Sequence, residues 1–450
     1  MKFDEALQYL LSLGHETVAI KLGLTNTERL LEALGRPQDG FPAVQIAGTN
    51  GKGSTAVVLE AICRAAGIST GLYTSPHLVS ITERIQVNGR EVTRVDFARL
   101  TTSVRDTARR LIAAGTFKTL PTFFEHVTAI ALLAFSEARV QLAILETGLG
   151  GRLDATTVAR AETIAITPVA LDHREYLGET LGEIAAEKAA IIRPGVSAVV
   201  APQPPEALEA ILRRCAACAV EPRLDQCAVE VLGADAEGRL RATFETRQDR
   251  YENVRVGLRG RHQLTNASVA IGLAEALRER GFSISRAEII TGLESASHAG
   301  RLEMRRGRPA MLFDGAHNAA GALALRQYLD EFVDAPVTLI FGAMRDKDLS
   351  EIAAVLFPIA NRLILTQPEN PRAATLEMLK RAVPLRFDPS KVTLTTRVGE
   401  ALAAALEQTP PGGLICATGS LYLVGETQNI LGQQRHPSSH RPEEHELLRR

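Results

Sequence analysis

Eight residues, "GTNGKGST" from Gly48 to Thr55, directly follow the apolar run "AVQIA". Glycines let bare backbone N–H groups wrap around an anion. Lysine supplies a full positive charge, and a helix starting near Ser54 would aim its positive end at the same place. That combination is suited to the phosphates of a nucleoside triphosphate, held by Gly48, Thr49, Asn50, Gly51, Lys52, Gly53 and Ser54. The general phosphate loop reads G-x-x-x-x-G-K-[ST], whereas here Gly53 separates Lys52 from Ser54. The alternative is a glycine-rich turn with a surface lysine. The position between a strand pattern and a helix pattern favours phosphate binding.

Three further residues have types that fit the same chemistry. Glu146 ends the apolar run "LAILE" and precedes the glycine-rich "TGLGGRLD". A carboxylate at the end of a parallel strand lies where ligands bind and suits Mg²⁺. His173 follows the next apolar run, in "TPVALDHREYLG"; it reads equally as a structural histidine and as a ligand beside Glu146. Lys188 sits in "ETLGEIAAEKAAIIRPG", a helix pattern over about 179–192 stopped by Arg-Pro-Gly. On its own this lysine reads as half of a solvated Glu–Lys pair.

The elements that must position these groups alternate. Strand-like runs occur at 43–48, 141–147, 162–169, 196–201, 310–316, 337–343, 362–367 and 412–419, separated by segments with apolar residues three and four apart. This predicts an α/β chain with parallel sheets covered by helices. The stretch 224–257 alternates between turn signals and reads as antiparallel strands. The expected architecture is an N-terminal phosphate-loop-type, mostly parallel sheet domain over about 1–296 with a small antiparallel addition, then a C-terminal Rossmann-like α/β domain over about 300–432. The tail 433–450, rich in Pro, Ser and charge, is expected to be frayed or disordered. With 450 residues, two domains are the default. A net charge of −1 offers no excess to neutralise a nucleic-acid backbone. The start "MKFDEALQYLLSL" lacks the pattern of a secretory signal, and no apolar run reaches the length of a membrane span. Five cysteines without such a signal fit reduced thiols in the cytoplasm. "CAAC" at 215–218 has no partner pair at zinc-ligand spacing and reads as small residues on a helix.

Taken together and in order, "GTNGKGS", "TSPHL" (74–78), "ERIQVNG" (83–89), "TFFE" (122–125), "ETGLGGRLDATT" (146–157), "LDHREYLG" (171–178), "AAEKAAIIRPG" (185–195), "HQLTNASVAI" (262–271), "GRLE" (300–303) and "FDGAHN" (313–318) resemble the dihydrofolate synthase/folylpolyglutamate synthase branch of the Mur ligase superfamily. The resemblance covers all but the tail, and makes Gly53 part of that family's own form of the loop. It implies an ATP-dependent amide ligase: a carboxylate takes the γ-phosphoryl group, and the amine of L-glutamate attacks the acyl phosphate. The carboxylate would belong to dihydropteroate or to a folate already carrying glutamate. Attack of one anion on another needs Lys52, the loop amides and Mg²⁺ to offset repulsion.

The resemblance also implies residue roles. Ser75, Glu146 and His173 would hold Mg²⁺, with Ser54 close to the phosphates. Lys188 would be N-carboxylated and help hold a second Mg²⁺, which requires its amine to become neutral first. This reverses the solvated-pair reading. Lys52, Glu146, His173 and Lys188 form the expected catalytic set. Asn266, Arg301, Asp314 and His317 would contact the nucleotide from the second half of the chain. Thr122, Phe123, Phe124 and Glu125, with Leu153, Asp154 and Ala155, would form the folate side, one of the two phenylalanines being a core residue. A K⁺ requirement and a monomeric state are further expectations. The sequence departs from the family's usual pattern in "SHAGRLE", without a proline before Gly300, and in Ala190 where glycine is commoner.

Two other readings compete. A cell-wall Mur ligase acting on a UDP-linked substrate would share the machinery, but such enzymes carry a further N-terminal domain, and only 47 residues precede Gly48. A non-catalytic ATP-binding protein would not need His173, Lys188, Arg301 and Asp314.

Overall fold

The computed structural model describes residues 1–14, 23–224 and 227–435. Its first sheet has seven strands: β1 (Ala43–Ala47), β2 (Thr70–Tyr73), β3 (Ile85–Val87), β4 (Arg90–Glu91), β5 (Leu142–Glu146), β6 (Thr163–Ile166) and β7 (Ser197–Val200), in the order β4-β3-β2-β5-β1-β6-β7. The five strands from β2 to β7 are parallel; β3 and β4 add antiparallel at one edge. Successive residues of β1 face opposite sides. Ala43 and Ala47 join the core under the helices Phe123–Glu137, Leu181–Ala189 and Pro205–Ala217. Val44 and Ile46 join the core under the helices Lys52–Ala65, His262–Glu279 and Arg286–Ser295. The last of these packs so closely on Lys52–Ala65 that a Cβ on Gly292 would strike the backbone of Ile62.

An antiparallel meander follows: β8 (Ala228–Ala234), β9 (Arg239–Glu245) and β10 (Arg250–Arg259). Its β8–β9 turn reaches the second half of the chain. Tyr328 Oη donates to Glu237 O at 2.9 Å, Arg306 and Arg259 pair with the Glu237 carboxylate, and Gly238, at φ 73°, lies where a Cβ would crowd Tyr328 and Phe332.

The second large sheet holds β11 (Glu303–Arg305), β12 (Ala310–Phe313), β13 (Val337–Phe341), β14 (Arg362–Leu365), β15 (Val392–Leu394) and β16 (Leu414–Thr418), in the order β11-β12-β16-β13-β14-β15. All pairs except β11–β12 are parallel. One face packs Leu312, Leu339, Phe341 and Leu363 under the helices Ala319–Phe332 and Leu349–Leu356. The other packs Phe313, Ile340 and Ile415 under Val398–Gln408 and Leu421–Arg435.

Every strand-like run read from the sequence is a strand, and 224–257 is antiparallel as expected. Two boundaries differ. The helix expected over 179–192 spans Leu181–Ala189, because Thr180 caps it by accepting from Glu183 N. The helix Leu421–Arg435 runs beyond Gly432, where fraying is expected, with Ile430 and Leu431 packed on the core. The rest of the expected tail lies outside the described residues. No described helix is long and apolar enough to cross a membrane.

Candidate active site

The strand order explains why distant residues meet. β2, β5, β1 and β6 are parallel neighbours, so the segments leaving their carboxyl ends stand side by side. These segments carry, in spatial order, Ser75, Glu146, the loop 48–54 and His173. They open into a cleft of about 650 Å³, closed on its other side by Arg301, Asp314, His317 and Lys347 from the second sheet's half of the chain.

The loop residues all line this cleft. Its form depends on its glycines. Gly48 (φ 151°) lies against Thr167, and Gly51 (φ 87°) lies against the Asn266 amide, with no room for a Cβ at either. Gly51 is the N-cap of the helix Lys52–Ala65. Gly53 explains the departure from the general loop. A Cβ there would sit 2.9 Å from His298 Cε1 and 3.2 Å from Glu146 Oε2, so glycine lets the helix's first turn approach the buried carboxylate. The Thr49 and Asn50 N–H groups donate to Pro168 O at 3.1 and 3.2 Å. Lys52 folds over the loop, donating to Gly48 O and Thr49 O, each at 3.2 Å. Ser54 Oγ lies 3.2 Å from His298 Nδ1 and 3.4 Å from Gln263 Nε2.

Glu146 is buried and accepts from Ser75 N at 3.0 Å. Burial pushes its carboxyl up, opposed by Lys52, the Ser75 N–H, Arg301 and Arg84. Lys188 is 4% exposed, not half of a solvated pair. Glu187 instead turns outward to Arg152 at 3.0 Å. Periodicity misleads here because the loop 148–154 covers the helix: Arg152 N donates to Glu187 O, and Gly151 packs against the carbonyls of Glu187 and Lys188. Burial, reinforced by Lys52, brings the Lys188 amine down to about 7 despite Asp172 and Asp154.

His173 adopts φ 50° just before the short helix Arg174–Leu177. Burial pushes its imidazole down to about 3; Asp172 opposes this, while Lys347, His317 and Lys188 add to it. Asp172, not singled out by the sequence, joins the two halves. Lys347 Nζ donates to Asp172 Oδ1, Asn318 Nδ2 donates to Oδ2 at 3.2 Å, and His317 Nε2 lies 3.6 Å from Oδ2. Burial would raise this carboxyl, but the His317 contact and the charges of His173, His317 and Lys347 hold it well below the usual carboxylate range. Asn318 also bonds the loop 48–54, donating to Asn50 Oδ1 at 3.1 Å. Asp314 is held by Leu302 N and Ala316 N at 2.9 and 3.0 Å. Asn266 donates to Gln263 Oε1 at 2.8 Å.

At the other end of the cleft stand Thr122, Phe124, Glu125, Leu153, Asp154 and Ala155. "TFFE" is in the first place a capping box: Thr122 Oγ1 accepts from Glu125 N, and Glu125 Oε2 accepts from Thr122 N at 2.6 Å. Glu125 Oε1 accepts from Thr27 Oγ1 at 3.0 Å. Phe124 faces the cleft beside Tyr73, with ring centroids 6.0 Å apart. Phe123 is buried in the core beneath the Arg84 guanidinium and is the one expected folate-side residue away from the cleft wall. Asp154 holds its own loop, accepting from Gly148 N, Leu149 N, Thr156 N and Thr156 Oγ1.

Among the described residues, no three His, Cys, Asp or Glu side chains group closely enough to hold a metal by themselves. The oxygen-rich set of Glu146 and Ser75 on the cleft wall still suits Mg²⁺, which keeps waters and substrate phosphates as ligands and needs only one or two carboxylates.

Residues 46–274 match the Mur ligase middle domain, and residues 300–421 match the Mur ligase glutamate ligase domain. The chain is 32% identical to a dihydrofolate synthase/folylpolyglutamate synthase of Bacillus subtilis over 93% of its own length and 97% of the relative's. It is 38% identical to a probable bifunctional folylpolyglutamate synthase/dihydropteroate synthase of Halobacterium salinarum, covering 95% of this chain but only 51% of that protein's length. A solved folylpolyglutamate synthase of Mycobacterium tuberculosis, complexed with ADP and AMPPCP, superposes with a TM-score of 0.88 at 30% identity, covering 96% of this chain and 99% of that one.

Proposed function

Because this chain belongs to the Mur ligase family, in its dihydrofolate synthase/folylpolyglutamate synthase branch, we propose that it is an ADP-forming ligase that joins L-glutamate to dihydropteroate, to a glutamylated folate, or to both. The observation that carries this reading is one cleft in which Lys52, Glu146, His173 and Lys188 face Arg301, Asp314 and His317 across two sheets. A protein that only bound ATP would not need His173 and Lys188 on the same wall.

In this reading residues 1–296 and 300–432 act as two lobes of a cytoplasmic monomer. ATP lies against the loop 48–54 with its phosphates on the amides of 51–54, since the Thr49 and Asn50 N–H groups are held by Pro168 O. Lys52 turns from the loop carbonyls to the β/γ-phosphates, and Asn266 and Asp314 contact the nucleotide. Phe124 offers a ring face to a flat heterocycle, while Glu125 and the Leu153–Ala155 stretch line the same end. The acid's carboxylate oxygen then attacks the γ-phosphorus, ADP leaves, and the glutamate amine displaces phosphate from the acyl carbon after losing a proton. Glu146, with Ser75 and His173, would hold Mg²⁺, which on binding neutralises phosphate charge and so lowers the repulsion between the two anions. The Lys188 amine, near 7, is neutral often enough at physiological pH to take up CO₂ as a carbamate, giving an anionic ligand for a second Mg²⁺. K⁺ would serve as a further activator. Arg301 brings a cation to the phosphates from the opposite lobe.

The test supplies ATP, Mg²⁺ and glutamate with either dihydropteroate or a reduced folate and weighs the products. One glutamyl residue added per ADP formed is expected with at least one acid; no ADP with either refutes the reading.

A further inference from the structure

His298 has no assigned part in the reading above, yet it touches the phosphate loop. It lies in the connector between the helix Arg286–Ser295 and β11, three residues before Arg301. Its Nδ1 is 3.2 Å from Ser54 Oγ. Gln263 Nε2 lies 3.4 Å from the same hydroxyl oxygen, and Gln263 Oε1 accepts from Asn266. The glutamine's amide nitrogen is therefore the donor to Ser54, and with the neutral His298 ring carrying its proton on Nε2 the Ser54 proton is free to point at Nδ1. Burial and the Arg301 charge push the His298 ring down to about 3, so a ring nitrogen is open to accept. The ring also fills the space beside Gly53, with Cε1 2.9 Å from where a Cβ would stand.

We infer that His298 is a positioning residue of the nucleotide site: by accepting from Ser54 it fixes that hydroxyl on the phosphate loop and ties the loop to the connector that carries Arg301. The inference rests on the nucleotide reading above. It goes beyond it by making nucleotide affinity depend on a side chain of the inter-lobe connector.

Asparagine places a polar atom where imidazole places Nδ1, whereas phenylalanine keeps the ring and removes the nitrogens. The dissociation constant for ADP, measured by calorimetry on the full chain, should rise about tenfold in His298→Phe, the scale of one lost hydrogen bond. His298→Asn should stay within about threefold of the unaltered chain. A packing role demands the reverse order, so Phe binding as well as the unaltered chain, or Phe and Asn weakened alike, overturns the inference. A second measurement applies if the Phe variant folds poorly. In a cycle with Ser54→Ala, His298→Ala should weaken ADP binding in the unaltered chain but cost little further once the Ser54 hydroxyl is gone; an additive loss overturns the inference. The Michaelis constant for ATP should rise more than kcat falls. If the unaltered chain does not bind ADP, the nucleotide reading fails and takes this inference with it. ADP binding indifferent to His298 overturns this inference alone.

Discussion

Gly53→Ala should separate stability from activity. Gly53 is the second residue of the helix Lys52–Ala65 and has no positive φ, so alanine fits the backbone. Replacing a helical glycine favours the fold by about 0.5–1 kcal/mol. The methyl, however, would stand 2.9 Å from His298 Cε1 and 3.2 and 3.5 Å from the two Glu146 oxygens. Carbon atoms rest at about 3.5–4.0 Å, so the ring must withdraw by at least roughly 0.6 Å. That stretches the 3.2 Å contact between Ser54 and His298 past hydrogen-bond range. The methyl also covers part of the Glu146 carboxylate where a cation or water would approach. The helix gain and the local crowding offset each other, leaving unfolding free energy within about 1 kcal/mol of the unaltered chain. An error of about 1 Å at a reacting centre costs on the order of 100-fold, which places the loss in turnover between about 10- and 100-fold. Thermal melts with an ADP-release assay read both quantities. Normal turnover, or loss of the fold, would refute the reasoning.

Lys188→Met should keep the fold, since it removes an amine whose charged form is penalised by burial, and should lower ligation at least about 100-fold; intact activity in steady-state kinetics would contradict its place in the site. Asp172→Asn leaves the buried Lys347 ammonium with only the longer 3.7 Å contact to Asp346, at a cost of about 3 kcal/mol concentrated where the two sheets' halves of the chain meet; small-angle scattering should report a larger radius of gyration, and Lys347→Met added to Asp172→Asn should restore compactness. His126 is held between Tyr9 Oη at 3.0 Å and Thr122 O at 3.1 Å, and burial pushes it down to about 4. The unfolded chain takes up a proton near 6.5 that the folded chain refuses until about 4, so stability is lost as pH falls through this window, by about 3 kcal/mol. Urea melts of His126→Gln should show a shallower loss between pH 6.5 and 4, and an unchanged slope would remove His126 as the cause.

What the sequence made legible follows from how each signal arises. Long apolar runs such as "QLAILET" announced their strands because both faces are buried, as parallel sheets require. β2 escaped because "TGLY" is short and its glycine is forced by Phe135, which occupies the place of a Cβ. The β3–β4 hairpin had a local signal: Asn88 and Gly89 both have positive φ, the pattern of a tight Asn-Gly turn. "TFFE" likewise carries a capping-box pattern beside the folate-side role that the resemblance implies. Lys188 was misjudged from its own helix because what buries it is a loop some 35 residues earlier. Asp172, Lys347 and His298 were invisible as a group, since their partners lie across the sheet order or in the other half of the chain. Only the tertiary arrangement makes Asp172 the meeting point of three side chains.

The central claim is an acyl phosphate formed between two anions in this cleft, and isotope transfer tests it most directly. With ¹⁸O in the carboxylate of the acid substrate, each turnover should deliver one labelled oxygen to the released phosphate, because the bond to phosphorus forms through that oxygen and the acyl–oxygen bond breaks when glutamate attacks. Amide product accompanied by phosphate without label would contradict the account.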